Sequence, residues 1–284
     1  FGLNFVVLAL WVPIEAVEAG GLAVPVGFRL YRSKKLCPEE DYTKRTELAA
    51  ELIDMGAEWW PDRQLTVAVD QEYTCKTILR DRPESVEIVG RLKAGNVVYD
   101  PDFEPNSIGR PRKWGDRRGT LEKLADSDKL PWFQQGVEMY GETVTLQVKW
   151  LEVQWKSAHA DDRLTVVLIR DPTGTYDDAY VVRTAPDAEV SEVLGPACRR
   201  WGLEVAFRNC KQQMRISSVQ NGFAQGDEPN DPNEPGPSAP EGREPTASRR
   251  TVPFGMMTYG LVIRWYLEHG RPEADLQRAR ERAP

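Results

Sequence analysis

Apolar positions along the chain change period several times, and the changes divide it into regions. Residues 3 to 12 and 22 to 32 are runs of β-branched and aromatic residues separated by Gly20-Gly21, which predicts a strand hairpin. Thr43 then stands as an N-cap before a helical stripe of Leu48, Leu52, Ile53 and Met55 that stops at Gly56. QLTVAVD is a short valine-rich run that ends abruptly in Asp70; YTCKTILRD after it reads as helical, and VEIVGRL predicts a strand over 86–92. Strand, strand, helix, strand, helix, strand is a mixed α/β order, in which strand ends are the usual place for chemistry.

The middle of the chain follows a different rhythm. Residues 100 to 120 are loop-rich, and TVTLQVKW then alternates with period two, placing Val144, Leu146, Val148 and Trp150 on one face. Leu151, Val153 and Trp155 take the other parity, which predicts a bulge or tight bend near 150. LTVVLIR and DAYVVRT add two strands and complete a β-rich block over about 140–184. From 188 to 215 the pattern is helical, with Gly195-Pro196 marking a break or a fresh helix start at Pro196. VPFGMMTYGLVIRWYLEHG predicts a further apolar helix, followed by a charged helix or frayed tail.

Composition adds a puzzle. The 284 residues are 40% hydrophobic and 29% charged, as expected of a globular chain. The net charge of −7 speaks at first against a polyanionic partner. The charge is unevenly spread, however. Residues 227–245 hold six carboxylates against Arg243 and six prolines, a net −5 that predicts a solvated, disordered loop. Residues 105–123 and 199–215 are each net +4. The four cysteines (Cys37, Cys75, Cys198 and Cys210) form no C-x-x-C pair, and with two histidines in the chain they suggest reduced thiols in a cytosolic compartment. The apolar opening is shorter than the roughly 20 residues of a spanning helix and reads as a strand.

The stretch RRWGLEVAFRNCKQQMR concentrates the chemistry. Placed on one helix, Arg200, Glu204, Arg208, Lys211 and Arg215 fall within about 80° of one another. Taken alone, such a stripe is an ordinary solvated face with i, i+4 ion pairs, and Asp70 is an ordinary strand-end turn or helix N-cap. His159 and His269 are isolated and read as structural, Trp59-Trp60 and Trp155 as packing residues, and the cysteines as small buried hydrophobes.

The pattern R-W-x-x-E-x-x-F-x-x-x-K-Q resembles the catalytic helix of bacterial insertion-sequence DDE transposases, the group with the Y-x2-R-x3-E-x6-K signature. Arg200, Glu204 and Lys211 match its spacing, while Ala197 and the Gly195-Pro196 pair depart from it. VAVDQEY resembles the strand carrying that family's second catalytic Asp, with Tyr73 as the aromatic of its D-x-x-Y, and GRPRKWG over 109–115 resembles its basic loop. The resemblance implies an α/β fold with an RNase H-like mixed sheet and flanking helices, interrupted by a β-rich insertion before the catalytic-Glu helix. Its expected division is 1–100 for the first part of the core, 101–185 for the basic loop and insertion, 186–224 for the catalytic helix, 225–250 for the acidic loop and 251–284 for the C-terminal helices.

The implied activity is DNA cleavage and strand transfer with two Mg²⁺ or Mn²⁺ ions, since hard cations prefer carboxylate oxygens and a metal pair stabilises both the attacking and leaving oxygens. Asp70 and Glu204 would be catalytic metal ligands. Arg200, Lys211, Arg208, Arg110, Arg112 and Lys113 would contact DNA, with Tyr73 and Trp201 in auxiliary roles. The implied partners are transposon ends, target DNA and a second copy in a synaptic complex, with no membrane, in a bacterial cytoplasm beside the nucleoid. The family's first catalytic Asp precedes the hairpin. No Asp occurs before Asp41, and the chain opens at Phe1 with its first methionine at Met55, so the first strand is expected to be missing and cleavage weak or absent. The competing expectation is an inactive remnant that binds DNA or partner subunits.

Overall fold

A computed structural model describes residues 4–14, 17, 20–35, 37–104, 111–139, 142–174, 176–214, 216 and 246–282. The acidic stretch 227–245, Arg110 and Arg215 lie outside the described residues. The chain forms two compact units, one drawn from 1–17, 21–43 and 202–284, the other from 18–20 and 44–201.

In the first unit, β1 (Asn4–Pro13) and β2 (Gly21–Tyr31) form the expected antiparallel hairpin. Its register shifts between Leu8 and Ala9, where Pro25, which has no N–H to donate, sits beside the irregularity. Helices α5 (Gly202–Gln213) and α6 (Thr246–His269) lie against β2. Ala206, Cys210, Val252, Met256 and Tyr259 meet Ala23 there in an apolar core, with Phe5, Val7 and Phe28 packed against it. Helix α7 (Pro272–Arg282) follows.

The second unit is a mixed six-stranded sheet of order β3-β4-β10-β9-β8-β7. Its strands are β3 (Leu65–Val69), β4 (Val86–Arg91), β7 (Phe133–Met139), β8 (Glu142–Val153), β9 (Leu164–Arg170) and β10 (Ala179–Arg183). β3 and β4 are parallel, joined through α2 (Lys76–Arg80), and the other neighbours are antiparallel. The β-rich block thus continues the sheet of β3 and β4, while among the described residues the hairpin strands pair with each other alone. The architecture is mixed α/β. β5 (Val97–Tyr99) and β6 (Arg117–Thr120) form a small separate ladder leading into α3 (Leu121–Ala125).

Three expectations are corrected. Helix α1 (Arg45–Trp59) starts after Lys44, whose N–H donates to Glu47 Oε2 at 2.9 Å, and it passes through Gly56. A buried glycine costs a helix only about 1 kcal/mol, whereas Pro61 disfavours helix at the residue before it. There is no bulge near 150, because β8 keeps register with both neighbours throughout. The parity change reflects a change of covered face. Val144, Leu146 and Val148 pack toward α4 (Val190–Arg199), whereas on the opposite face Lys149 donates to the carbonyls of Ala125 (2.6 Å) and Ser127 (2.9 Å) at the end of α3. Burial of Lys149, with Arg170 nearby, holds its pKa below the usual lysine value.

The third correction concerns Pro196, which lies inside α4 without breaking it. Proline leaves the carbonyl four residues back without its helical donor. That carbonyl belongs to Glu192, and Arg183 Nη1 donates to it at 3.0 Å while Arg183 also pairs with Glu87 at 2.6 Å. The helix instead ends at Arg200, which caps it, and α5 begins at Gly202.

Arg183→Met is expected to destabilise this unit by about 2–4 kcal/mol, since it strands a largely buried carboxylate and a helix carbonyl. In a Pro196→Ala background the cost falls by about 1 kcal/mol, because the alanine N–H restores the missing donor; a denaturant double-mutant cycle measures the difference. Burial pushes the Cys210 thiol up to about 11 from 9.0. Between those values the unfolded chain releases a proton that the folded one keeps, so stability falls as pH rises above about 9. Cys210→Ala should flatten that part of a stability profile measured by urea titration.

Candidate functional site

Asp70 follows directly on β3, at the carboxyl end of the parallel β3–β4 pair. Its Oδ1 accepts the Gln71 N–H at 2.8 Å, and its carbonyl accepts the N–H groups of Tyr73 (2.9 Å) and Thr74 (3.2 Å). The strand end is therefore closed into a tight turn with the carboxylate exposed. Gly90 on β4 makes room for it: a Cβ there would lie 2.2 Å from Thr74 Oγ1, so the turn packs against bare backbone. Beside it, Arg45 and Glu72 pair at 2.9 Å. Half-burial, with Glu72 and Asp70 close by, pushes the Tyr73 phenol up from its ordinary value.

In the basic loop the cations differ in availability. Arg112 donates to Trp114 O (2.7 Å) and Asp116 Oδ1 (2.6 Å) and lies over the Phe103 ring. Arg118 is bonded to Asp100 and to Glu152 O. Gly115 anchors the loop, since a Cβ at that position would come within 1.9 Å of Asp100 O. Lys113 is exposed between these anchors. Arg112 and Arg118 thus shape the loop, and Lys113 offers the surface charge. The sequence carried a signal for this in Asp116, four residues from Arg112, which net charge alone conceals.

The helix break divides the remaining candidates. Arg200 caps α4 and its N–H donates to Pro196 O at 3.1 Å, and Trp201, 44% exposed, is the linking residue. Glu204, Arg208 and Lys211 lie on α5, so Arg200 does not share one continuous helix with them, a correction to the single stripe expected above. Gly202 starts α5 close against the hairpin, where a Cβ would be 2.8 Å from the Trp11 ring. Ala206 and Cys210 face the core, while Arg208 and Lys211 are exposed and Glu204 is half-buried. Glu204 in the first turn and Lys211 in the last also suit the helix dipole.

Asp70, Tyr73, Arg112, Lys113, Arg200 and Trp201 belong to the second unit, and Glu204, Arg208 and Lys211 to the first. Carboxylates suit a hard divalent ion in kind. Among the described residues no group of three or more His, Cys, Asp or Glu side chains is gathered together. An open cleft of about 640 Å³ beside the N-terminus of α4 escaped the sequence reading. Glu152, Asp187 and Glu189 on its walls make it repulsive to phosphate. Among the described residues no helix is long and apolar enough to cross a membrane. No protein-family model matches the chain, and no curated protein matches it.

Asp70→Asn retains an oxygen for the Gln71 N–H, so thermal unfolding should place it within about 0.5 kcal/mol of the parent. Asp70→Ala, which removes that acceptor, should cost about 1 kcal/mol.

Proposed function

We propose that the chain is the catalytic region of a DDE transposase, acting in metal-dependent DNA cleavage and strand transfer. In this reading Asp70 and Glu204 are metal ligands for Mg²⁺ or Mn²⁺, Arg200 and Lys211 contact phosphate, and Arg208 and Lys113 extend the basic surface. The observation that carries it is the outward face of α5, where Glu204, Arg208 and Lys211 stand at spacings of four and three while Ala206 and Cys210 anchor the helix. Support comes also from an exposed carboxylate at a strand end in a mixed α/β sheet, and from the order of the D-x-x-Y and R-x3-E-x6-K motifs. The RNase H-like identity of the fold, like the activity, is part of this proposal.

A fluorescent DNA duplex at low and moderate salt tests the surface. The chain should bind it with a steep salt dependence. Arg208→Glu/Lys211→Glu should weaken binding by at least about tenfold and reduce the slope of log K against log salt by about two, one for each lost phosphate contact. Mn²⁺ uptake, followed by its paramagnetic resonance signal, should fall in both Asp70→Asn and Glu204→Gln. DNA binding indifferent to the α5 variant, or no binding at all, would sink the proposal. Binding without carboxylate-dependent Mn²⁺ uptake would instead assign the chain to DNA recognition without catalysis.

A further inference from the structure

Helix α4 covers only part of the sheet face it packs on. Val190, Val193 and Leu194 sit over Val148, Val167 and Val181, and the cover stops at the helix N-terminus. Trp150, two residues beyond Val148 on β8, lies on the same face, and so does Phe133, the cross-strand partner of Val148 on β7. Their rings are 5.0 Å apart at 50°, and the two residues remain 46% and 48% exposed. Trp150 lines the open cleft of about 640 Å³ beside α4, and Phe133 carries the aromatic surface on to the edge strand β7. The rest of the lining is acidic. Glu152, Asp187 and Glu189 belong to it, and among the described residues no lysine or arginine does. Hydrogen bonds hold this lining in place: the Asp187 N–H donates to Glu152 Oε1 at 3.0 Å, the Ala188 N–H to Thr165 Oγ1 at 3.2 Å, and the Thr165 hydroxyl to the Ala185 carbonyl at 2.9 Å. Glu152 Oε2 pairs with Arg163 at 3.3 Å, and the Glu189 side chain caps α4 by accepting the Glu192 N–H. Asp187, exposed and outside those pairings, is the carboxylate placed to meet a cation.

We propose that this cleft docks an extended, arginine-bearing segment of a partner protein, its guanidinium stacked on Trp150 and bonded to Asp187. Charge complementarity selects a cation, since the walls repel anions and supply carboxylates beside an aromatic face. Planarity selects arginine. A guanidinium lies flat on an indole and forks onto a carboxylate, whereas the compact ammonium of lysine is more strongly hydrated and does neither as well. Size then selects a chain segment over a free small cation. Clefts of roughly 300–1,000 Å³ take ligands larger than one side chain, and the aromatic surface runs past this one to Phe133. An extended segment entering across β7 lays an apolar neighbour of its arginine on that ring. The α4 N-terminus carries partial positive charge that opposes a cation, and Glu189 and Glu192 beside it offset that charge. The docking needs neither DNA nor metal and stands apart from the transposase reading.

Fluorescence anisotropy tests it on the whole chain, with a labelled, end-capped Gly-Ser peptide that carries phenylalanine and arginine, and a matched peptide with lysine for arginine. The arginine peptide should bind saturably, with a dissociation constant on the order of 100 μM. Asp187→Asn, which keeps a residue type that tolerates the left-handed backbone at φ 50, should weaken binding at least about fivefold. Trp150→Leu should weaken it at least about threefold. Circular dichroism should be unchanged in both, as both side chains are largely exposed. The lysine peptide should bind at least about threefold more weakly, and free arginine amide should displace the labelled peptide only at concentrations at least about tenfold higher. Absence of saturable binding up to about 1 mM overturns the proposal. Binding that survives intact in both variants overturns it too, and places the peptide on other acidic residues of the chain. Equal binding of the lysine peptide overturns the choice of arginine, and equal binding of arginine amide overturns the docked segment. Loss of duplex DNA binding in Trp150→Leu, with the peptide unbound by the parent, assigns the aromatic surface to nucleic acid instead.

Discussion

The position of α4 over the large sheet depends on one guanidinium. Arg183, at the end of β10, pairs with Glu87 on β4 and donates to the Glu192 carbonyl that Pro196 leaves without a helical partner. It is only 13% exposed, so its charge is satisfied within the fold instead of by water. A buried pair of this kind adds little over well-packed apolar residues, yet breaking it is costly. With α4 held there, Val190, Val193 and Leu194 fill the space above Val89, Val167 and Val181. The same strands carry β3, and hence Asp70, into a fixed place at the sheet edge. A polar contact thus sets the register in which the apolar contacts are made.

The strands were legible in the sequence because their signals are local. QLTVAVD, VEIVGRL, LTVVLIR and DAYVVRT owe their conformation to β-branched runs bounded by turn residues, and each forms a strand close to the expected bounds. Their order in the sheet was not legible. Pairing of β4 with β10 joins residues some 90 positions apart, as in Ile88 N–H donating to Thr184 Oγ1 at 2.9 Å, and no local pattern encodes such a partner. The bend expected near 150 failed for a related reason. A change in hydrophobic parity records which face is covered, and both a bulge and a switch of covering element produce it. Here the cover passes from α4 to α3, and Lys149 is drawn inside by carbonyls that no sequence window around it contains.

The candidate site shows the same limit more sharply. Asp70 at a strand end and Glu204 on a helix were both legible, since abrupt termination of a valine run and a charged stripe beside an apolar one are local features. The continuity of the helix was not. Gly195-Pro196 looks like the break, but the proline is accommodated because Arg183 supplies the missing donor from another strand. The interruption falls instead at Arg200-Trp201, just before Gly202, whose close approach to Trp11 lets α5 start against the hairpin. A wheel drawn through the whole stretch therefore assigns Arg200 a place relative to Glu204 that the backbone does not give it.

Net charge carries less information about partners than the side on which each charge is spent. Of the cations in the basic loop, Arg112 and Arg118 are bonded to Asp116 and Asp100, so a count of plus four overstates what a phosphate would meet there. Arg208 and Lys211 stand on the solvent side of a helix whose other side is sealed by Ala206 and Cys210. α6, anchored in that same core, turns an apolar stripe outward instead. Two helices fixed by one set of buried residues thus present different chemistry to solvent, a cationic edge on one and an apolar ridge on the other.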